Sequence, residues 1–168
     1  GSITSSVSAN TTAGFSIVSW VGNSSASTVG HGLSSAPSMV IIKNRDSAKD
    51  WRVGHNGLTS WAYRLHLNDT SAQTEQSAIF NSTAPTSSVF SIGTSGSVND
   101  NGQNIIAYCF AEKKGYSKFG SYTGNGNVDG SMIVTGMKPA MVILKRTDSS
   151  ASWLMFDNKR EIDNVVSH

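Results

Sequence analysis

The sequence predicts an all-β fold, an antiparallel β-sandwich of jelly-roll or lectin-like kind, built from an internal repeat of about 100 residues whose second copy is incomplete. Three observations predict it. The apolar segments are short and separated by clusters of Gly, Ser, Asn, Thr and Pro, as in sandwiches. Apolar spacing of the helical kind, recurring near 3.6 residues, is absent. The run PSMVIIKNRDSAKDW, from Pro37 to Trp51, is written again as PAMVILKRTDSSASW, from Pro139 to Trp153, with 8 of 15 positions identical and no gap. Upstream, Gly14-Phe15-Ser16 answers Gly115-Tyr116-Ser117, and Trp20-Val21-Gly22-Asn23 answers Tyr122-Thr123-Gly124-Asn125.

The repeat divides the chain into a linker or edge strand over 1–13, a first complete β unit over 14–113, and a partial second β unit over 114–168. The second copy stops before any answer to the apolar stretch 103–112, so either the sequence is an excerpt that ends inside a repeat or the missing strands come from elsewhere, such as a neighbouring chain.

Taken in order, residues 15–21 alternate as a strand, with Phe15, Ile17 and Ser19 opposite Val18 and Trp20. Residues 29–33 are glycine-rich, a short edge strand or tight loop. In the repeated run, proline suits the first position of a strand because it has no amide to donate. Met39 to Ile42 is then a buried strand, 43–50 a turn in which Asp46 and Ser47, like Asp148 and Ser149, bond their own backbone, and Trp51 and Trp153 open the return strands. The repeat anchors are therefore Pro37, Met39, Ile41 and Trp51, with Pro139, Met141, Ile143 and Trp153. Aligned packing of the two units buries the Met39-Ile41 and Met141-Ile143 faces against aromatic partners.

His55-Asn56-Gly57 is a turn signal. Residues 61–67, WAYRLHL, place Trp61, Tyr63, Leu65 and Leu67 on one face of a half-exposed strand. Residues 68–76 read as a loop, 79–80 as a short element, 89–92 as a strand, 93–102 as a loop, and 103–112 as a central strand. Cys109, the one cysteine, excludes an intrachain disulfide and reads as a small buried hydrophobe.

Composition narrows the function classes. Only 14% of residues are charged and the net charge is +2, with basic residues scattered, so no nucleic-acid footprint is present. No stretch has the length of a membrane-spanning helix. His31, His55, His66 and His168 are dispersed and lack metal-ligand spacing, and the loops around Asp100 and Asp129 lack calcium-loop spacing, so neither a metal nor a cofactor is expected. The sequons at Asn10, Asn23, Asn68 and Asn81 are what a chain rich in these residues produces by composition. An enzyme is not expected. A polysaccharide depolymerase would need two carboxylates across one cleft, and the pairs to measure are Asp46 with Asp50 and Asp157 with Glu161. For glycan or receptor contact the candidates are Trp61, Tyr63 and Asn56, because aromatic faces with nearby amides bind sugars and Trp61 lies outside the repeated signature; the competing reading of WAYRLHL points Trp61, Tyr63 and Leu65 inward together.

The segments GFSIVSWVGN, GHGLSSAPSMVIIKNRDSAKDWRVGHNGL, LHLNDT, FNSTAP, NIIAYCFAEKKGYSKFGSYTGNG and PAMVILKRTDSSASWLMFDNKR together resemble a domain of unknown function found in large structural proteins of marine tailed bacteriophages. The resemblance runs over nearly the whole chain from Gly14 and transfers no catalytic residue. It implies a virion, an extracellular particle, as the location and a structural and interaction module as the role, in a tail fibre or other surface appendage. Homo-oligomerisation, trimeric by analogy with phage fibres, contact with other virion proteins, and host attachment through a surface glycan are the implied partnerships. A lectin-like carbohydrate-binding module and a depolymerase fragment are the alternatives.

Overall fold

The computed structural model describes residues 1–159. Its fold is an all-β domain of several antiparallel sheets. The largest has seven strands, here in spatial order: β1 (Ser5–Asn10), β2 (Phe15–Val21), β9 (Asn104–Phe110), β4 (Met39–Asn44), β5 (Arg52–His55), β6 (Tyr63–His66) and β7 (Thr74–Glu75), every neighbouring pair antiparallel. A second sheet pairs β3 (Ser27–Gly30) with β8 (Val89–Ile92). A third is the hairpin of β10 (Met141–Leu144) and β11 (Leu154–Asp157).

Alternation in β2 and β9 sets the faces of the large sheet. Val18 and Trp20 of β2 and Ile105, Ala107 and Cys109 of β9 point inward, with Val40 and Ile42 of β4 beside them. Val29 of β3 and Phe90 and Ile92 of β8 close over them, and the Trp20 and Phe90 rings meet edge to face at 5.8 Å. Ala107 lies between Val18 and Ile42 in register, where a small residue lets two larger ones meet the layer above. Burial pushes the Cys109 thiol up to about 12, so it stays protonated and inert.

The opposite face carries a second apolar cluster of Ile41, Val53, Leu58 and Leu65, with Met39, Trp51, Tyr63, Tyr108, Phe110 and Trp153 half-buried around it. Trp51 therefore lies on this outer layer, stacked on Tyr108 at 6.3 Å, instead of anchoring the main core.

Of the two readings of 1–13, linker or edge strand, the structure has an edge strand paired with β2 along its length. Other local expectations are corrected. Two one-turn helices form, α1 (Ser77–Phe80) at the short element expected over 79–80 and α2 (Gly96–Asn99) within the stretch expected to be a loop. Ser95 caps α2 by accepting from the Ser97 amide, while Ile79, Phe80 and Val98 fill the core; segments this short carry no periodicity to detect. In the turn after β4 it is Asn44, not Asp46, whose side chain accepts from the Asp46 and Ser47 amides. Asp46 instead accepts from the backbone and side chain of Asn104 and tethers the start of β9.

The two hairpins share one register. Met39 faces His55 and Ile42 faces Arg52; 102 positions on, Met141 faces Asp157 and Leu144 faces Leu154. Their lysines do the same work, Lys43 donating to the Asn44 and Ser47 carbonyls, Lys145 to those of Arg146 and Ala151. Their surroundings differ. Val40 and Ile41 are buried, whereas Met141, Val142 and Ile143 are exposed, which overturns the expected burial of the Met141-Ile143 face. The physical reason is pairing: β4 is flanked by β5 and β9, while among the described residues β10 pairs only with β11.

Candidate functional site

Across the inner face of the large sheet one row reads Val18, Ala107, Ile42, Arg52, His66, strand by strand. Its apolar half faces the core. Its last two members turn the row polar at the β5 and β6 end, where Arg52 and His66 are both buried. A guanidinium so placed has to be paired. Arg52 donates to His66 Nε2 and, at 3.0 Å, to the Ser97 hydroxyl of α2, with Asp50 Oδ2 at 3.6 Å. With Nε2 accepting, the other ring nitrogen directs its proton at Asp69. Burial acts to raise the Asp69 pKa, but hydrogen bonds from His66 and Ser71 outweigh it and hold the carboxyl down at about 2. The Asn68 side chain, above all, keeps Asp50 below the usual carboxylate range.

This cluster sits where the second hairpin joins the first unit. Trp153 donates its indole N–H to the His66 carbonyl at 2.8 Å while its ring joins the outer apolar cluster. The Thr70 carbonyl receives Lys145 Nζ at 3.1 Å, the Ser150 hydroxyl at 3.1 Å and the Ala151 amide at 2.9 Å. The Gln73 amide donates to the Thr147 carbonyl at 2.9 Å. The 68–73 loop is thus a socket for the turn of the second hairpin, and the His66–Asp69 pair stiffens the start of that loop. An Asp–His pair beside a serine is also the raw material of a hydrolase, but here the imidazole nitrogen that would act as base faces a guanidinium, and the Ser97 hydroxyl is taken by the same Arg52.

The structure separates the three residues proposed for glycan contact. Trp61 is 7% exposed, edge to face with Phe80 at 5.2 Å, and its N–H is donated to Asn56 at 3.0 Å. It cannot offer a ring face to a sugar, and the expectation of an exposed platform is corrected accordingly. The reason is a turn. Tyr63 N bonds Ser60 O, the strand begins only at Tyr63, and the turn swings Trp61 into the inner core while Tyr63 and Leu65 pack on the outer face. Asn56 keeps company with Trp61; Tyr63 is parted from both.

Of the other expectations, His31 is fully buried, its Nδ1 accepting from the Leu33 amide and its Nε2 facing the Thr86 carbonyl, which makes it a loop staple. Asp46 and Asp50 serve different neighbours, Asn104 for the first and Asn68 with Arg52 for the second. Glu161, and so its pairing with Asp157, lies outside the described residues, as does His168. Among the described residues no group of three or more His, Cys, Asp or Glu side chains could hold a metal ion. The residues that sequence reasoning missed are Arg52, His66, Asp69 and Thr70. The signal was there in part, since Lys145 and Trp153 repeat Lys43 and Trp51, but not which loop they would meet.

Neither a curated protein nor a solved structure matches the chain. A family model does, over residues 1–168, and the protein accordingly belongs to the family described as Domain of unknown function (DUF7483).

Proposed function

We propose that the chain is a structural and interaction module of a bacteriophage virion, positioned in a tail fibre or another surface appendage. The observation that carries the module reading is the second hairpin. It is fastened to the first unit through Trp153, Lys145, Ser150 and Thr147, yet presents the apolar side chains of Met141, Val142 and Ile143 outward. A side-chain set of that kind is costly to leave in water and is characteristic of a contact surface. The virion setting rests on the sequence resemblance. A sparsely charged, turn-rich surface is compatible with it.

In its finer form the proposal is a lectin-like sandwich in which a unit of about 100 residues is written once in full and once in part. The shared register of the two hairpins supports that reading. Glycan attachment loses its leading residue with the burial of Trp61, so assembly is the function we assign first. Mass spectrometry of purified particles from a lysate of the encoding host tests the setting. Peptides of this chain co-purifying with particles are expected, and their confinement to the particle-free fraction overturns it. Sedimentation of the isolated chain at micromolar concentration tests the homotrimer, which a monomer overturns.

A further inference from the structure

The open edge of β10 has an internal precedent. In the first hairpin the corresponding edge, that of β4, is covered by β9 in antiparallel register, with Met39 facing Phe110, Val40 facing Cys109, Ile41 facing Tyr108 and Ile42 facing Ala107. With that strand in place Val40 is 0% and Ile41 9% exposed; their counterparts Val142 and Ile143 are 38% and 46% exposed. β10 keeps the apolar sequence of a strand built to be flanked on both sides, MVIL against MVII, while among the described residues it pairs only with β11.

A second observation points the same way. The stretch 116–122 answers β2 in sequence, and in the first unit β2 lies on the far side of β9. Here it forms no strand beyond a single bridge between Lys113 and Ser117, and Tyr116 and Tyr122, which answer Phe15 and Trp20, are 68% and 52% exposed. Among the described residues, both flanks of a β9-like strand are thus left without the partner that orders their counterparts.

We infer that β10 is an acceptor edge for an antiparallel strand of β9 composition: an extended segment of seven residues, uncharged, apolar at alternate positions on both faces, delivered from outside the described residues. The incoming strand takes the register of the first unit, so that its Phe110-like residue faces Met141, its Cys109-like residue Val142 and its Tyr108-like residue Ile143. One feature sets the acceptor apart from a copy of the first unit. Gly54, against which Trp61 and Phe80 press, is answered by Phe156, so the layer under the completed sheet cannot repeat the Trp61–Phe80 packing. Among the described residues this edge is unpaired whether or not the chain sits in a virion.

The probe is a synthetic peptide spanning Gly102 to Glu112 with Cys109→Ser, added to the intact protein. Hydrogen exchange at Met141–Leu144 should slow roughly tenfold at saturation while exchange in β4 stays unchanged. The same peptide carrying Ala107→Pro, which removes an amide and bars a central strand, should have no effect. Register is read by disulfide trapping. Ile143→Cys in the protein should couple to a peptide with Cys at the Tyr108 position and not to one with Cys at the Ile106 position, because only directly opposed Cβ atoms come close enough. Unchanged exchange at the edge, or coupling indifferent to position, overturns the inference. So does a dimer of the free protein in which Met141–Leu144 is already protected and which the peptide does not displace, since a second copy would then hold the edge.

Discussion

The indole N–H of Trp153 reaches the backbone carbonyl of His66 at 2.8 Å, bonding the second hairpin to the first unit beside the cluster of Asp50, Arg52, His66 and Asp69. Trp153→Phe retains a ring over the outer cluster and loses this bond, at an expected cost of about 1 kcal/mol. Trp153→Ala also removes its ring from the outer apolar cluster and should release the hairpin, with exchange in β10 and β11 accelerating while β9 keeps its protection. Equal acceleration in β9 would mean that hairpin and sheet unfold as one.

Trp61→Ala removes a 7% exposed side chain packed on Phe80 and should destabilise the protein by about 3–5 kcal/mol in urea melts. Trp51→Ala should cost less, about 1–3 kcal/mol, because Trp51 is half-buried and stacks on Tyr108 at the edge of the outer cluster. The order of the two midpoints checks the assignment of the two aromatics to different layers.

Gly54→Ala places a methyl 2.4 Å from Trp61 Cζ3 and 2.7 Å from Phe80 Cε2, too close for either ring to stay where it is. The expected loss is about 1–3 kcal/mol, and Phe80→Leu in the same chain should recover part of it. Strict additivity of the two changes, read from denaturant midpoints, would show that the clash is relieved elsewhere.

Asp69 gives the junction a dependence on acid. Its folded pKa of about 2 lies below its ordinary value of 3.8, so its contribution to stability is complete above the ordinary value and is lost as pH falls through about 2. Asp50 is also held below its ordinary value, chiefly by the Asn68 side chain, and its contribution to stability is lost in the same direction as the pH falls. The urea midpoint should fall between pH 4 and pH 2 more steeply in the wild type than in Asp69→Asn. Parallel curves would remove Asp69 from the account of acid sensitivity.

Much of the fold was legible in the residues. Alternation identified β2 and its faces, because a strand buried on one side must repeat every second residue, while β8 and β9 were marked as short apolar runs between turn residues. The duplicated run located both hairpins, since pairing within a hairpin depends on neighbours close in the chain. The one-turn helices escaped because four residues leave no period, and Trp61 was placed on the wrong layer because a turn ending at Tyr63 breaks the alternation that WAYRLHL displays.

What the sequence alone determined, then, is the class of fold, the strand content and the likeness of the two hairpins, all of which follow from local pattern. Tertiary structure alone decided that Arg52, His66 and Asp69 meet, that the 68–73 loop receives the second hairpin, and that β4 is covered while, among the described residues, the nearly identical β10 is open on one edge. The same four-residue apolar pattern is core in one place and surface in the other. Burial belongs to the strand that arrives from elsewhere in the chain, and no local pattern records whether it does.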